Sequence, residues 1–307
     1  VPFLNFFDGF RTSHEIQKIE VVDQEDLEPL LDREALAGFR ARALNPEAPV
    51  ARGMAENPDV FFQHRESSNK YYDAVPGIVE DYMGEISKIT GREYHLFNYY
   101  GDPEADRIII AMGSVTQCAE EAIDYLRKKG EKVGMVNVHL YRPFSAEHFL
   151  KVIPKTVKRI AVLDRTKEPG ANGEPLYLDV VEVFKDVKDA PFIVSGRYGL
   201  SSKDTTPVQI MSVFENLALP LPKNYFTIGI VDDVTFRSLP MKEEIAIDDE
   251  GLFEGKFYGL GADGTVGANK NTIKIIGENT DKYCQAYFSY DSKKSGGFTC
   301  SHLRFGN

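Results

Sequence analysis

The sequence predicts a multidomain α/β protein built around a parallel β-sheet that is covered by helices on both faces. Between residues 106 and 195, short apolar strands alternate with amphipathic helices. An acidic, weakly apolar stretch over 241–251 separates this region from a second strand–helix–strand pattern. Such alternation favours parallel strands joined by crossover helices, and the acidic stretch is typical of a linker between domains.

Three elements are predicted before residue 91. An apolar run predicts a strand over 1–7, and an acidic segment predicts a helix over 26–42. Prolines interrupt the polar stretch that follows and break any helix there. Over 74–90, apolar residues recur at i, i+3, i+4 and i+7, so this segment is expected to form an amphipathic helix.

The central region has the pattern of a doubly covered sheet. Strands are predicted over 107–112, 132–140, 158–164 and 191–195, and helices over 116–129, 145–152 and 176–184. In open parallel sheets, ligands bind beyond the carboxyl ends of the strands. Function is therefore expected at three strand ends, namely at Gly113 and Ser114, at Asp164 and Arg165, and at Gly196 and Arg197.

A glycine-rich run lies between a predicted strand over 253–258 and a predicted helix over 265–277. Its glycines satisfy the G-x-G-x-x-G spacing, which lets backbone N–H groups approach a phosphate at the positive end of the helix. We interpret the run as an anion site, with a glycine-rich turn that merely packs as the alternative. Its candidate binding residues are Gly261, Gly264, Gly267, Lys270 and Asn271, although Lys270 could instead lie on a solvated helix face.

The next predicted strand, over 283–290, leads to two lysines, flanking serines and two glycines. In a dinucleotide fold this strand end meets the adenosine ribose, where cationic residues suit a ribose phosphate. Lys293, Lys294 and Ser295 therefore indicate a nucleotide with a phosphorylated ribose, such as coenzyme A or NADP. An exposed basic turn stays open as an alternative, and Asp291 leaves plain NAD possible.

Composition excludes several other classes. A net charge of −11 argues against nonspecific binding to nucleic acid or anionic lipid. Cys118, Cys284 and Cys300 have no metal-ligand spacing, which favours a reduced, cytoplasmic setting without a metal site in this chain. No apolar run is long enough to span a membrane, and no catalytic residue is identified. The apolar first residues and the interrupted last strand predict a piece of a longer polypeptide.

Five motifs together resemble one family. They occupy residues 6–15 (FFDGFRTSHE), 163–177 (LDRTKEPGANGEPLY), 199–204 (GLSSKD), 259–271 (GLGADGTVGANKN) and 290–297 (YDSKKSGG). With them, essentially the whole chain resembles the single-chain pyruvate:ferredoxin (flavodoxin) oxidoreductases. The resemblance implies that the full enzyme oxidatively decarboxylates pyruvate with coenzyme A, giving acetyl-CoA and CO2. Electrons then pass through iron-sulfur clusters to ferredoxin or flavodoxin.

The resemblance also implies a domain organisation. Residues 1–90 would be the end of a thiamine-pyrimidine-type domain, 91–240 a transketolase C-terminal-like domain, 241–251 a linker, and 252–307 the start of a gamma-type domain associated with coenzyme A. Thiamine diphosphate, 4Fe-4S clusters and Mg would belong to the full enzyme, with their ligands outside this chain. A fragment of this extent is expected to be inactive alone, and the full enzyme to be a homodimer. A segment of an NADP-dependent dehydrogenase and a noncatalytic docking module remain as alternatives.

Overall fold

The structure is a computed structural model that describes residues 1–9, 11–231, 233–242, 245, 251–291, 293 and 296–306. The strands of these residues form two separate sheets, one of six strands and one of four. The strands are β1 (Ile16–Gln17), β2 (Phe97–Gly101), β3 (Arg107–Ala111), β4 (Val133–Val138), β5 (Arg159–Asp164), β6 (Phe192–Arg197), β7 (Phe226–Thr227), β8 (Phe253–Leu260), β9 (Tyr283–Tyr290) and β10 (Phe298–Gly306).

Helices precede, cover and connect these sheets. The described α-helices are α1 (Arg11–His14), α2 (Gln24–Leu27), α3 (Arg33–Ala41), α4 (Phe61–Glu66), α5 (Asn69–Thr90), α6 (Val115–Lys128), α7 (Ala146–Val152), α8 (Pro175–Phe184), α9 (Pro207–Ala218) and α10 (Thr265–Asn279). Short 3-10 helices occupy Glu28–Leu30 and Leu200–Ser202.

The six-stranded sheet has the order β2-β4-β3-β5-β6-β7, and all of its pairs are parallel except that of the edge strand β2. Side chains alternate along β3, so that Ile108 and Ile110 enter one core and Ile109 the other. Helices α6 and α9 cover one face, and α5, α7 and α8 cover the other. The predicted parallel sheet with two covered faces is therefore confirmed.

The sequence prediction of this sheet is accurate, but it omits strands β2 and β7 and helix α9. The predicted strands and helices between residues 106 and 195 are present within a few residues of their expected limits. Strand β2 was missed because its aromatic residues do not alternate with polar ones. Helix α9 follows a recognisable start signal, since the Thr206 side chain accepts a hydrogen bond from the Gln209 N–H and a proline comes next.

The first ninety residues differ more from expectation. The predicted strand over 1–7 is wrong: these residues pair with no described strand, and Phe3, Leu4, Phe6 and Phe7 are exposed. An apolar run forms a strand only where a neighbouring strand takes its backbone hydrogen bonds. The predicted helix over 26–42 is instead broken after α2, and Asp32 caps the start of α3 by accepting from the Ala35 N–H at 2.8 Å. Helix α5 confirms the predicted amphipathic helix but begins earlier.

The four-stranded sheet has the order β1-β9-β10-β8, and every pair in it is antiparallel. Strands β8 and β9 run parallel to each other, as a strand–helix–strand unit requires, but β10 lies between them. Among its described residues, the four-stranded sheet therefore lacks the dinucleotide-type arrangement of neighbouring parallel strands. Most of the predicted linker over 241–251 lies outside the described residues, and the proposed domain limits stay predictions.

Candidate functional site

The glycine loop, defined as residues 259–264, connects the end of β8 to the start of α10. Gly264 has φ +88°, a left-handed conformation that favours glycine, and precedes the first helical residue. At Gly259 a side chain has no room, because a Cβ atom would lie 2.6 Å from the Thr265 hydroxyl oxygen. The loop therefore needs glycine at these two positions for conformation and for close packing.

The Asp263 carboxylate already accepts hydrogen bonds from one N–H group of the loop and from the first N–H group of α10. Asp263 accepts hydrogen bonds from the backbone N–H groups of Leu260 (2.8 Å) and Thr265 (2.9 Å). The bonds from Thr265 and Leu260 hold the pKa of the Asp263 carboxyl below its usual value. Asp263 thus fixes the loop shape, and an incoming phosphate would meet the remaining donors at the start of α10.

The structure brings the two halves of the predicted site together. The Gly261 N–H donates to the Gly297 carbonyl oxygen at 2.8 Å, which joins the glycine loop to the turn between β9 and β10. That turn contains Lys293, whose backbone N–H donates to the Asp291 carboxylate at 3.4 Å and whose side chain is exposed. Because β8 and β9 are mutually parallel, their carboxyl ends lie at the same edge of the small sheet.

The other predicted residues are placed as follows. The Lys270 ammonium lies 5.3 Å from the centre of the Phe288 ring, over the sheet. Asn271 is exposed on α10, and Gly267 lies in open space in the first turn of that helix. Lys294 and Ser295 lie outside the described residues. Gly261, Gly264, Gly267, Lys270 and Lys293 therefore occur at or near one edge, which carries helix-end N–H groups and cationic side chains suited to an anion.

The carboxyl edge of the six-stranded sheet contains a residue that the sequence reasoning missed. Asp8 accepts a hydrogen bond from the Ser114 N–H at 2.6 Å and pairs with Arg165 at 2.8 Å. Burial opposes ionisation of this carboxyl, but the hydrogen bonds from Ser114 and the charge of Arg165 hold its pKa below the usual value. The available sequence signal was that Asp8 falls within the motif over 6–15.

Farther along this edge, buried charges stabilise the start of α8. Asp164 accepts hydrogen bonds from the N–H groups of Leu176 (3.0 Å) and Tyr177 (3.1 Å). Glu174 accepts from the Glu168 N–H at 2.8 Å and pairs with Arg197 at 3.3 Å. The three strand ends expected to carry function are thus together, and intrachain partners occupy their polar groups.

Asp164 should make the stability of the protein depend on pH. Burial raises its pKa from 3.8 to about 6, with hydrogen bonds from Leu176 and Tyr177 opposing the rise and the charge of Glu174 adding to it. Because folding raises this pKa, the contribution of Asp164 to the free energy of unfolding is greatest below pH 3.8. That contribution is lost as the pH rises through 6. Between pH 5 and pH 7, wild type should lose about 1 kcal/mol more than Asp164→Asn in urea unfolding. Parallel pH profiles for the two proteins would contradict the assignment.

The described residues contain few other chemical candidates. Cys118 is partly buried, and its thiol donates to the Thr205 carbonyl oxygen at 3.3 Å. Burial raises the pKa of this thiol to about 12, so it is a poor nucleophile. Across the described ranges no three His, Cys, Asp or Glu side chains are grouped to hold a metal ion. No described helix has both the length and the apolar character to cross a bilayer.

Fold and site thus define an α/β protein with a parallel sheet, a smaller antiparallel sheet and a glycine-rich strand-to-helix loop. Comparison with known proteins identifies its family. Three family models match in succession. They are described as the thiamine diphosphate-binding part of pyruvate flavodoxin/ferredoxin oxidoreductase (residues 1–84), pyruvate:ferredoxin oxidoreductase core domain II (105–210) and pyruvate ferredoxin/flavodoxin oxidoreductase (254–307).

Curated relatives align with the whole chain. A pyruvate-flavodoxin oxidoreductase of Enterobacter agglomerans is 63% identical over 308 residues, covering 100% of this chain and 26% of the relative. A pyruvate:ferredoxin oxidoreductase of Moorella thermoacetica is 60% identical over 306 residues, with the same coverage. The chain belongs to the pyruvate:ferredoxin/flavodoxin oxidoreductase family. It spans about a quarter of the length of these relatives.

Similarity to a solved structure is weaker. A 2-oxoglutarate:ferredoxin oxidoreductase from Magnetococcus marinus, with 2-oxoglutarate, coenzyme A and succinyl-CoA bound, matches with a TM-score of 0.34 and 17% identity. The match covers 57% of this chain and 28% of that one. A score this low supports no conclusion about this chain.

Proposed function

We propose that this chain is part of a pyruvate:ferredoxin/flavodoxin oxidoreductase. The complete enzyme would oxidatively decarboxylate pyruvate with coenzyme A, forming acetyl-CoA and CO2 and passing electrons to ferredoxin or flavodoxin. Identity above 60% along the whole chain to proteins of that name supports the proposal. So does the order of the three matching family models.

Within that enzyme, we assign to this chain the binding of the coenzyme A phosphates. The observation that carries the assignment is the hydrogen bond from the Gly261 N–H to the Gly297 carbonyl oxygen, because it places the turn with Lys293 beside the glycine loop. The N–H groups at the start of α10 would donate hydrogen bonds to one phosphate, and the ammonium groups of Lys270 and Lys293 would neutralise its charge and that of the ribose phosphate. Lys294 and Ser295 remain proposed contacts.

The iron-sulfur clusters and Mg of the complete enzyme would be bound elsewhere, whereas residues 1–84 match a family model described as thiamine diphosphate-binding. Thiamine diphosphate, 4Fe-4S clusters and Mg would supply the decarboxylation and electron-transfer chemistry. Among the described residues, the three cysteines form no disulfide bond, and no three His, Cys, Asp or Glu side chains are grouped to bind a metal ion. These residues therefore do not fit a cluster or a metal, and no step of the reaction is assigned to them. A homodimeric enzyme in the cytoplasm is part of the proposal.

The small sheet disfavours the dehydrogenase alternative. An NADP-binding fold of the dinucleotide type places its first two parallel strands side by side. Here β10 separates β8 from β9, with Cys300 opposite both Tyr258 and Ser289. The position of β10 thus argues against a dinucleotide-type NADP site, and titration with NADPH provides a direct comparison with coenzyme A.

The assignment predicts that Lys270→Ala combined with Lys293→Ala weakens coenzyme A binding to the full-length enzyme by about 100-fold or more. Each charge-assisted hydrogen bond to a phosphate contributes about 1.5–3 kcal/mol, and the variant removes both cationic partners. Isothermal titration calorimetry measures the affinity. Coenzyme A lacking its ribose phosphate should already bind wild type more weakly and lose less in the variant.

Lys274→Ala is the matched control, because Lys274 is an exposed lysine of the same helix. It should change coenzyme A affinity less than twofold, since an exposed charge without a nearby partner contributes little. Unchanged affinity in the double variant would remove the lysines from the site. If wild type binds NADPH more tightly than coenzyme A, the result supports the dehydrogenase alternative. If a variant that loses coenzyme A binding keeps normal turnover, the result supports the docking alternative.

A further inference from the structure

One N-terminal segment contacts both sheets of the protein. We name it the bridging segment and define it as described residues 8, 9 and 11–18. At its start, Asp8 is held at the carboxyl edge of the six-stranded sheet. At its end, Ile16 and Gln17 form strand β1, which pairs with β9 of the four-stranded sheet. The segment therefore links the parallel sheet to the sheet that carries the glycine loop.

The first anchor is a close-fitting ion pair. The Asp8 carboxylate lies 2.6 Å from the Ser114 nitrogen and 2.8 Å from the Arg165 guanidinium. The Asp8 side chain is only 16% exposed and that of Arg165 only 24%. Gly113 permits this approach, because a Cβ atom there would lie 2.9 Å from the Asp8 carboxylate. Arg165 is itself fixed, since its Nε–H donates to the Gly199 carbonyl oxygen at 2.9 Å. Asp8 thus places its carboxylate at the N-terminus of α6 beside a cation, where a negative charge is stabilised.

The second anchor combines a strand pair with a core contact. The Lys18 N–H donates to the Cys284 carbonyl oxygen at 3.0 Å, and the Lys18 ammonium donates to the Thr280 carbonyl oxygen at 2.7 Å. The Gln285 side chain donates to the Glu15 carboxylate at 3.0 Å. Ile16 packs against the core of the small sheet. This end of the bridging segment is consequently part of the small sheet.

The connection between the anchors is short. Part of it is helix α1, which advances only about 1.5 Å per residue, so the path from Asp8 to Ile16 reaches roughly 20 Å at most. With both ends bound, the small sheet can move only within that limit. Releasing Asp8 would free one end, so that the short β1–β9 pair is no longer restrained from both sides and opens more often.

We propose that the bridging segment is a strap that orients the glycine loop relative to the six-stranded sheet, with Asp8 and Arg165 as positioning residues for coenzyme A turnover. The inference rests on the proposed function. The coenzyme A thiol must there meet a pyruvate-derived group bound elsewhere in the enzyme, so the orientation of the small sheet sets how often the two are aligned. Misalignment by about 1 Å can slow a reaction 100-fold without removing any binding contact.

The test uses full-length enzyme carrying Asp8→Asn, which removes the charge that pairs with Arg165. Hydrogen exchange of the Lys18 amide should quicken by about 10-fold, whereas exchange in β3 and β5 should not change. Coenzyme A affinity should stay within about twofold of wild type, and kcat should fall by about 10-fold. Arg165→Gln should give the same pattern, and the double variant should lose little more than either single variant.

Glu104→Gln is the matched control, because it removes an exposed ion pair with Lys132 on the same domain. It should leave Lys18 exchange, affinity and kcat unchanged. Unchanged Lys18 exchange in both Asp8→Asn and Arg165→Gln would overturn the strap, as would faster exchange throughout β3 and β5. Faster Lys18 exchange with normal kcat would overturn the positioning role. If wild type does not bind coenzyme A at all, the proposed function fails, while the exchange result still decides whether the strap exists.

Discussion

Replacing Gly259 with valine is expected to weaken coenzyme A binding to the full-length enzyme by at least about 30-fold, which corresponds to about 2 kcal/mol. A Cβ atom at this position would lie 2.6 Å from the Thr265 hydroxyl oxygen and 2.9 Å from the Asp263 carboxylate. The valine would push both residues away and break the hydrogen bonds from Leu260 and Thr265 to Asp263. The start of α10 would then lose the shape proposed to accept a phosphate. Isothermal titration calorimetry gives the affinity directly.

Gly277→Ala is the appropriate control for this substitution. Gly277 lies near the end of α10, and a Cβ atom there would meet the Cys284 sulfur at an ordinary 3.7 Å. Alanine also favours helix formation over glycine by up to about 1 kcal/mol. The control should therefore bind coenzyme A normally. Normal binding by Gly259→Val as well would show that the glycine loop is a packing turn and not part of the binding site.

The substitution Gly101→Ala is expected to have the largest effect on stability, about 3 kcal/mol or more. Gly101 has φ +133° and lies directly opposite Gly134 in the β2–β4 pair. An added Cβ atom would overlap the Gly134 backbone and lie 2.6 Å from the Val133 carbonyl oxygen. Backbone atoms of a central strand cannot yield as a flexible side chain can, so β2 would separate from β4. Native-state hydrogen exchange should show about 100-fold less protection in both strands.

Gly84→Ala provides a comparison of opposite sign. Gly84 lies within α5, where a Cβ atom would meet nothing within 4 Å. Here alanine should raise stability by about 0.5–1 kcal/mol, because glycine loses more conformational freedom than alanine in a helix. Protection of the α5 amides should increase accordingly. If Gly84→Ala and Gly101→Ala changed the free energy of unfolding equally, the close approach of β2 to β4 would not restrict the side chain at residue 101.

Elements with strong local patterns were predictable from the sequence. The β3 residues Ile108, Ile109 and Ile110 form a continuous apolar run, because a parallel strand covered on both faces buries both sets of side chains. The apolar stripe of α5 was recognisable for the corresponding reason, since one helix face packs on the sheet. The run over 1–7 shows the limit of such patterns: its apolar residues meet no partner strand among the described residues.

The candidate site was predictable only in part. Glycine spacing indicated a loop whose N–H groups could approach an anion, and the lysines indicated an anionic ligand, because both depend on residue type at a fixed separation. The carboxylate of Asp263 within the loop was not foreseen, nor was the placement of the Lys270 ammonium over Phe288. Both depend on side-chain direction, which the order of residues does not specify.

The sequence by itself determined the alternating strands and helices of the parallel sheet, the glycine loop and the family resemblance. These follow from hydrophobic periodicity, backbone freedom and motif spacing, which are local properties. Only the tertiary structure decided that β10 separates β8 from β9, that Asp8 binds Ser114 and Arg165, and that Asp164 caps α8. Those contacts join residues far apart in the chain, and they form because buried N–H groups and charges require partners that only the folded chain supplies.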